Sequence, residues 1–391
     1  MAIFITLIVI LFMGVPIFSE PALSSLTVEA LKQSNTANIF ISPLLLEQGL
    51  MQLYMGAADE TAAELRKVLQ LDATEEATKW QRSKNFDALP NESFYKANRL
   101  YVANEVNILN NYKEITNETV ENVNFSYADT TTIINKWAST ATKAKVSKLL
   151  NETKADTKLL LLSAIYFKGL WAQPFKKNDT YAEHFFPINE IGDYYAITTP
   201  MMSISAQFAM RKIPKMNARS LEIPYANSNA SMLIILPNEM LGISEIIEQL
   251  HTLKMHEVLP NGPTKLVKLY LPRFALDVQT ELRPVLKQLG VKQLFTNAQL
   301  NKMTDFKGNL FLSSVFQRAL IEVEEAGAAT IAAKTAAASE ETVNETDSGP
   351  TAFYVNRPFV FFIKDNSNIL FAGRVNIPYM ALNDTQVYKA N

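Results

Sequence analysis

The chain has 391 residues, 48% of them apolar, and a formal net charge of −2, enough apolar mass for one large core or two small ones. A balanced charge argues against nucleic acid, which calls for a clustered basic face. With no cysteine, disulfides and thiol chemistry are excluded.

Residues Ile3 to Met13 form an uncharged apolar run followed by Gly14 and Pro16. Such a run is too short to span a bilayer and suits the core of a signal peptide over residues 1–19, cleaved between Ser19 and Ser24. No other run reaches membrane-spanning length. Eight Asn-x-Ser/Thr triplets, at Asn91, Asn117, Asn124, Asn151, Asn178, Asn229, Asn344 and Asn383, also point to export, as a secreted glycoprotein. Residues 25–391 carry no Pro/Gly-rich linker and no repeat, so they read as one domain.

Within it, the first helix falls at Leu26–Lys32, and a short apolar segment, Asn38–Pro43, leads into a helix over Leu44–Met55. A further helix over Thr61–Leu69 is opened by Asp59. Lys79, Arg82 and Lys84 could face a glycosaminoglycan. The interleaved Glu75, Glu76 and Asp87 make a solvated face the better reading. Strands are expected at Phe94–Leu109 and Leu159–Phe167, the second so continuously apolar that it must be central. A polar-faced helix, Thr131–Ala144, separates them. Short strands follow at Ser220–Pro224, Met232–Leu236, Lys265–Leu271, Gln317–Glu324 and Phe359–Phe371, with a helix over Val278–Leu289 that stops at Gly290. Helices lead and strands follow, which argues for an α+β domain.

Between the apolar stretches Gln317–Glu324 and Phe359–Pro378 lies a run of small residues, Ala326 to Ser339, which turns acidic before Gly349-Pro350. It lacks the bulk to anchor itself and should project as a loop, yet its residues are small enough to enter a sheet.

Catalytic constellations are thin. Only His184, His251 and His256 are available as bases; no Gly-x-Ser-x-Gly elbow and no phosphate loop accompanies them. His251 and His256 are five apart and do not share a helical face for a metal. Adjacent carboxylates such as Glu324-Glu325 and Glu340-Glu341 read as solvated. The chain is therefore expected to be no enzyme, with no metal and no cofactor.

Several motifs then fall in one order: Asn38-Ile39-Phe40-Ile41-Ser42-Pro43; Ser163 to Trp171 continuing to Pro174-Phe175; Leu221-Glu222-Ile223-Pro224-Tyr225; Ser231 to Pro237; Leu271-Pro272-Arg273-Phe274; Asn356-Arg357-Pro358-Phe359; and Phe371 to Pro378. Together these resemble the serpins over about residues 26 to 380. The resemblance implies three β-sheets, eight or nine helices, a metastable native state and an exposed reactive-centre loop over about residues 326–352. It further implies a monomer whose partner is a serine-type protease. The protease cleaves the loop and becomes acylated, and the loop's first part inserts into the main sheet.

By that resemblance the hinge comprises Glu325, Gly327, Ala328, Thr330, Ala332 and Lys334. Ala328, Thr330, Ala332, Lys334 and Ala336 would point inward after insertion. Lys334 departs from the pattern, because burying an unpaired ammonium costs several kcal/mol. The family's usual Thr and acid after the hinge glycine are also missing. Counting forward from Gly327 puts the reactive bond at Glu341-Thr342, and counting back from Asn356 puts it at Asp347-Ser348. The family's polar network beneath the sheet maps to Ser42, Leu45, Ser163 and Gln317, where Ser, Asn and His are usual at the last three.

Overall fold

The computed structural model describes residues 24–33, 36–71, 89, 93–116, 119–252, 254–326 and 350–378, with eight α-helices and fourteen strands among them. The apolar run Leu159–Phe167 is strand β4, and every one of its residues is buried. Side chains alternate across a strand, so an unbroken apolar run must be covered on both faces.

β4 lies at the middle of a five-stranded sheet in the order β10 (Phe274–Glu281), β11 (Leu312–Val323), β4, β2 (Phe94–Ala103), β3 (Val120–Val123). The β10–β11 and β2–β4 pairs are antiparallel, whereas β4 and β11 run parallel.

One face is covered by helix α2 (Pro43–Gly56). Ser42 caps it, Pro43 sits in its first turn, and most of the helix is buried. Its Gly49 lets backbone and sheet approach closely: a Cβ there would stand 2.8 Å from the Leu161 side chain. The other face carries helix α5 (Thr130–Ala141), whose Trp137 meets Tyr101 of β2 edge-on at 5.7 Å.

The remaining strands form a second hydrogen-bonded path: β1 (Ile39–Ile41), β14 (Ile369–Val375), β13 (Phe359–Lys364), β8 (Ser231–Pro237), β7 (Ala218–Pro224), β6 (Ile197–Ile213), β9 (Lys265–Pro272) and β12 (Thr351–Tyr354), with β5 (Thr180–Phe185) also on β6. The long β6 pairs with β7 through Ala209–Ile213 and with β9 through Met201–Phe208. Two of the three expected sheets are thus joined along one strand. Helices α1 (Ser25–Leu31), α3 (Asp59–Val68), α4 (Asn110–Ile115), α6 (Ile243–Gln249), α7 (Met255–Val258) and α8 (Arg283–Gln288) complete the described part. No described helix is long and apolar enough to cross a membrane.

Several boundaries differ from the sequence reading. The stretch expected as a helix from Val278 is β10 up to Glu281, because its register on β11 fixes it as extended. The helix begins only at Arg283, with Pro284 in its first turn. The strand from Phe94 ends at Ala103, and Phe359–Phe371 is divided by a turn in which Asp365 Oδ1 accepts from the Ser367 and Asn368 amides at 2.7 and 2.6 Å. The loop expected to run to residue 352 has rejoined a sheet by Thr351, where β12 pairs with β9.

Gly373 faces Phe361 across the β13–β14 pair, and a Cβ there would lie 2.3 Å from the ring. That ring stacks on Phe40 at 5.9 Å, so it has no room to retreat. Gly373→Val is therefore expected to cost about 3 kcal/mol through overpacking, read as a lowered denaturation midpoint at unchanged slope.

Candidate functional site

The site is the seam where β4 and β11 run side by side. Parallel pairing has slanted hydrogen bonds and is slightly weaker per residue than antiparallel pairing. The register places Gln317 against Ser163 and Leu320 against Tyr166. In the middle of the seam, at Gln317 and Ser163, the polar side chains are bonded away from it rather than across it.

On the β11 side, Gln317 reaches the start of α2. Its Oε1 accepts from the Ser42 amide at 2.6 Å, and its Nε2 donates to the Ser42 carbonyl at 3.2 Å. Ser42 Oγ donates to the Leu370 carbonyl at 2.8 Å and accepts from the Leu45 amide at 3.2 Å. On the β4 side, Ser163 Oγ donates to Asn98 Oδ1 at 3.0 Å, and Asn98 Nδ2 donates to the Leu45 carbonyl at 3.3 Å. The four residues named from the sequence therefore do come together. Leu45 joins through its main chain alone, since its side chain packs in the apolar core. Asn98 was missed. A polar residue in the strand opposite Ser163 was its only signal, and that pairing exists only once β2 and β4 align.

Higher on the seam, Lys168 follows β4, and its Nζ lies 2.8 Å from both Glu322 and Glu324. Burial acts to lower the Lys168 pKa, but the two carboxylates outweigh it and hold the ammonium above the usual lysine value. Trp171 Nε1 donates to the Glu324 carbonyl at 2.8 Å, and the Phe175 amide to the Glu325 carbonyl at 2.9 Å. Glu325 is 3% exposed. Its Oε1 accepts from Thr180 Oγ1 at 2.9 Å and lies 3.8 Å from Arg273 Nη1. The expectation that Glu324 and Glu325 are solvated is thus corrected: successive residues of an extended chain point to opposite sides, and cations or a hydroxyl meet each one.

Across the outer face runs the connector that follows α5. Its Lys143 and Ala144 adopt left-handed φ of 49° and 63°, which ends the expected helix early. Lys143 Nζ sits 4.6 Å from the Tyr95 ring centroid on β2 and Lys145 Nζ 4.7 Å from Tyr166 on β4. The two rings stack on each other at 5.8 Å. Arg318 of β11 donates to the Lys148 carbonyl and pairs with Asp277 at 2.7 Å. The connector is therefore fastened to strands on both sides of the seam by cation–π contacts and hydrogen bonds.

His184, His251 and His256 are all exposed. Gly327, Ala328, Thr330, Ala332, Lys334, both candidate reactive bonds (Glu341-Thr342 and Asp347-Ser348), the basic trio Lys79, Arg82 and Lys84, and residues 1–19 lie outside the described residues. So do Asn91, Asn117, Asn344 and Asn383. Of the other sequon asparagines, Asn151, Asn178 and Asn229 are exposed and Asn124 is half-buried.

Comparison with known proteins gives one answer. The family described as Serpin (serine protease inhibitor) matches residues 22–378. Human Serpin B3 is 33% identical, over 89% of this chain and 95% of its own length. Human leukocyte elastase inhibitor is 33% identical, over 89% and 96%. Among solved structures, Serpin48, a highly specific serpin of the insect Tenebrio molitor, superposes with a TM-score of 0.76 at 28% identity, covering 90% of this chain and 95% of that one.

If the seam is held through α2, removing one clamp should register in stability. Gln317→Ala removes the partner of the buried Ser42 amide, while the Ser42 carbonyl keeps the Leu46 amide at 3.1 Å, and is expected to cost about 2 kcal/mol. Asn98→Ala and Ser163→Ala should show a coupling of about 0.5–1 kcal/mol in a double-mutant cycle by denaturant unfolding. Additivity would mean the pair does not act together.

Proposed function

We propose, since the chain belongs to the serpin family, that it is a suicide-substrate inhibitor of a serine-type endopeptidase. The protease cleaves the loop leaving β11 and is held as an acyl-enzyme, while the loop's first arm enters the sheet between β4 and β11. The observation that carries this reading is the parallel seam itself. A chain turning back from the end of β11 runs antiparallel to β11 and therefore to β4. Its entry exchanges one parallel pairing for two antiparallel ones. The small residues Ala328, Thr330, Ala332 and Ala336 suit the inward positions. In this role the chain is bait for an enzyme rather than an enzyme itself. Glu341-Thr342 serves as the reactive bond, with Asp347-Ser348 as the alternative; neither offers a basic residue to a trypsin-like protease.

A second reading, a non-inhibitory serpin that binds or carries a partner, is favoured by Lys334. In that insertion its ammonium would have to be buried, at a cost of several kcal/mol. Insertion has to outrun deacylation, so this cost bears on the partition between trapped and released protease.

A protease panel followed by SDS electrophoresis separates the two readings. The inhibitor reading expects a stable adduct and a sharply raised melting temperature after loop cleavage. It also expects a higher adduct yield for Lys334→Thr, which removes the buried charge and keeps a small hydrogen-bonding group. Digestion without adduct for both proteins, with equal melting before and after nicking, selects the binding reading.

The apolar leader and the sequons support secretion. Ser24 Oγ accepts from the Thr27 amide as the N-cap of α1, so cleavage after Ser24 would remove the cap, and Glu20 is the favoured first residue. Peptide mapping of protein secreted from eukaryotic cells should find glycans at Asn151, Asn178 and Asn229 and a start at Glu20. Retained Met1 with all three asparagines bare would overturn secretion.

A further inference from the structure

Beneath the end of β11 lies a cavity of about 320 Å³, lined among others by Lys177, Thr180, Thr199, Arg273 and Glu325. That volume falls at the small end of the range for small-molecule sites. We propose that it binds a small oxyanion, a short dicarboxylate or sulfate, and that occupancy weakens the hold on Glu325.

Three features define the ligand's chemistry. The first is charge: two cations, Lys177 and Arg273, face one carboxylate, Glu325, which already accepts from Thr180 and neighbours Arg273. Lys177 is exposed, on the short turn at Lys177–Asp179, where it can close on a ligand. Thr199 supplies the second feature. It is 3% exposed, yet its Oγ1 has no hydrogen-bond partner among the described residues. A buried hydroxyl left unpaired is costly, and a ligand oxygen in the cavity it lines would satisfy it. The third is rigidity. Thr199 is held on β6 opposite Glu183 of β5, and Arg273, between β9 and β10, is fixed by its amide donating to the Pro200 carbonyl at 2.9 Å.

The regulatory consequence follows from Arg273. A bound anion draws on the same guanidinium that faces Glu325 and places a second negative charge beside that carboxylate. Like charges in a partly buried site disfavour one another, so ligand and Glu325 compete for one cation. Glu325 stands two residues past the end of β11, and its carbonyl is held by the Phe175 amide. Occupancy therefore loosens the point where insertion begins. This consequence rests on the inhibitor reading, whereas binding itself does not.

Calorimetric titration of the full chain with sodium malonate and with sodium sulfate, against sodium chloride at matched ionic strength, tests the site directly. Saturable one-site binding is expected for malonate, sulfate or both. Lys177→Ala and Thr199→Val should each weaken it, the lysine change by about tenfold or more, as loss of a charge-assisted hydrogen bond gives. Glu325→Gln, which removes the competitor, should strengthen it. Unchanged melting of the Lys177 and Thr199 variants without ligand shows that they fold. No heat beyond the chloride control, or affinities untouched by all three substitutions, overturns the proposal. Adduct yield measured with and without malonate then tests the coupling. Binding without any change in yield keeps the site and removes its regulatory role.

Discussion

The five-stranded sheet is organised around a pairing that is central in position and modest in strength. β4 is buried on both faces, and its neighbour on one side is the parallel strand β11. Parallel strands require a long connection, and here more than a hundred residues of chain, including β5 to β9 of the second sheet path, separate the two. β11 thus reaches its place late in the chain and ends at Val323, three residues before the small-residue run begins at Ala326. The helix beneath, the connector above and the ion pairs at the upper end all act on this seam.

The polar network shows how composition can change while satisfaction is kept. An amide side chain is donor and acceptor at once, so Gln317 alone meets both the amide and the carbonyl of Ser42. Where the family usually places Asn on the central strand, this chain has Ser163, and the amide stands on the neighbouring strand as Asn98. Leu45 gives up its side-chain role and offers main-chain groups. Each strand keeps its own attachment to the first turn of α2. No described hydrogen bond of this group crosses from Gln317 to Ser163, so parting the strands breaks the ladder between them but leaves these side-chain bonds in place.

At the upper end the balance differs. Lys168 bridges from the end of β4 to Glu322 on β11 and Glu324 just past it, and this bridge must be broken or rearranged if the strands separate. Partly buried ion pairs resist that step more than exposed ones, because each released charge must find water. Trp171 and Phe175 add hydrogen bonds to the Glu324 and Glu325 carbonyls. Closure at this end rests on charges and caps, closure in the middle on amides bound to a helix.

The sequence alone determined the class of fold, the central place of Leu159–Phe167 and the membership of Ser42, Ser163 and Gln317 in one network. These are legible because apolar runs, turn residues and long ordered motifs act through local periodicity or fixed spacing. Tertiary structure decided the rest. Val278 became a strand residue because β11 was available as a partner, overriding a helix-like pattern. Asn98 met Ser163 only through strand register, and Glu325 was buried because Thr180 and Arg273, distant in the chain, converge on it. A carboxylate's burial depends on which cations the fold brings to it, and a single strand of sequence carries no information about that distance.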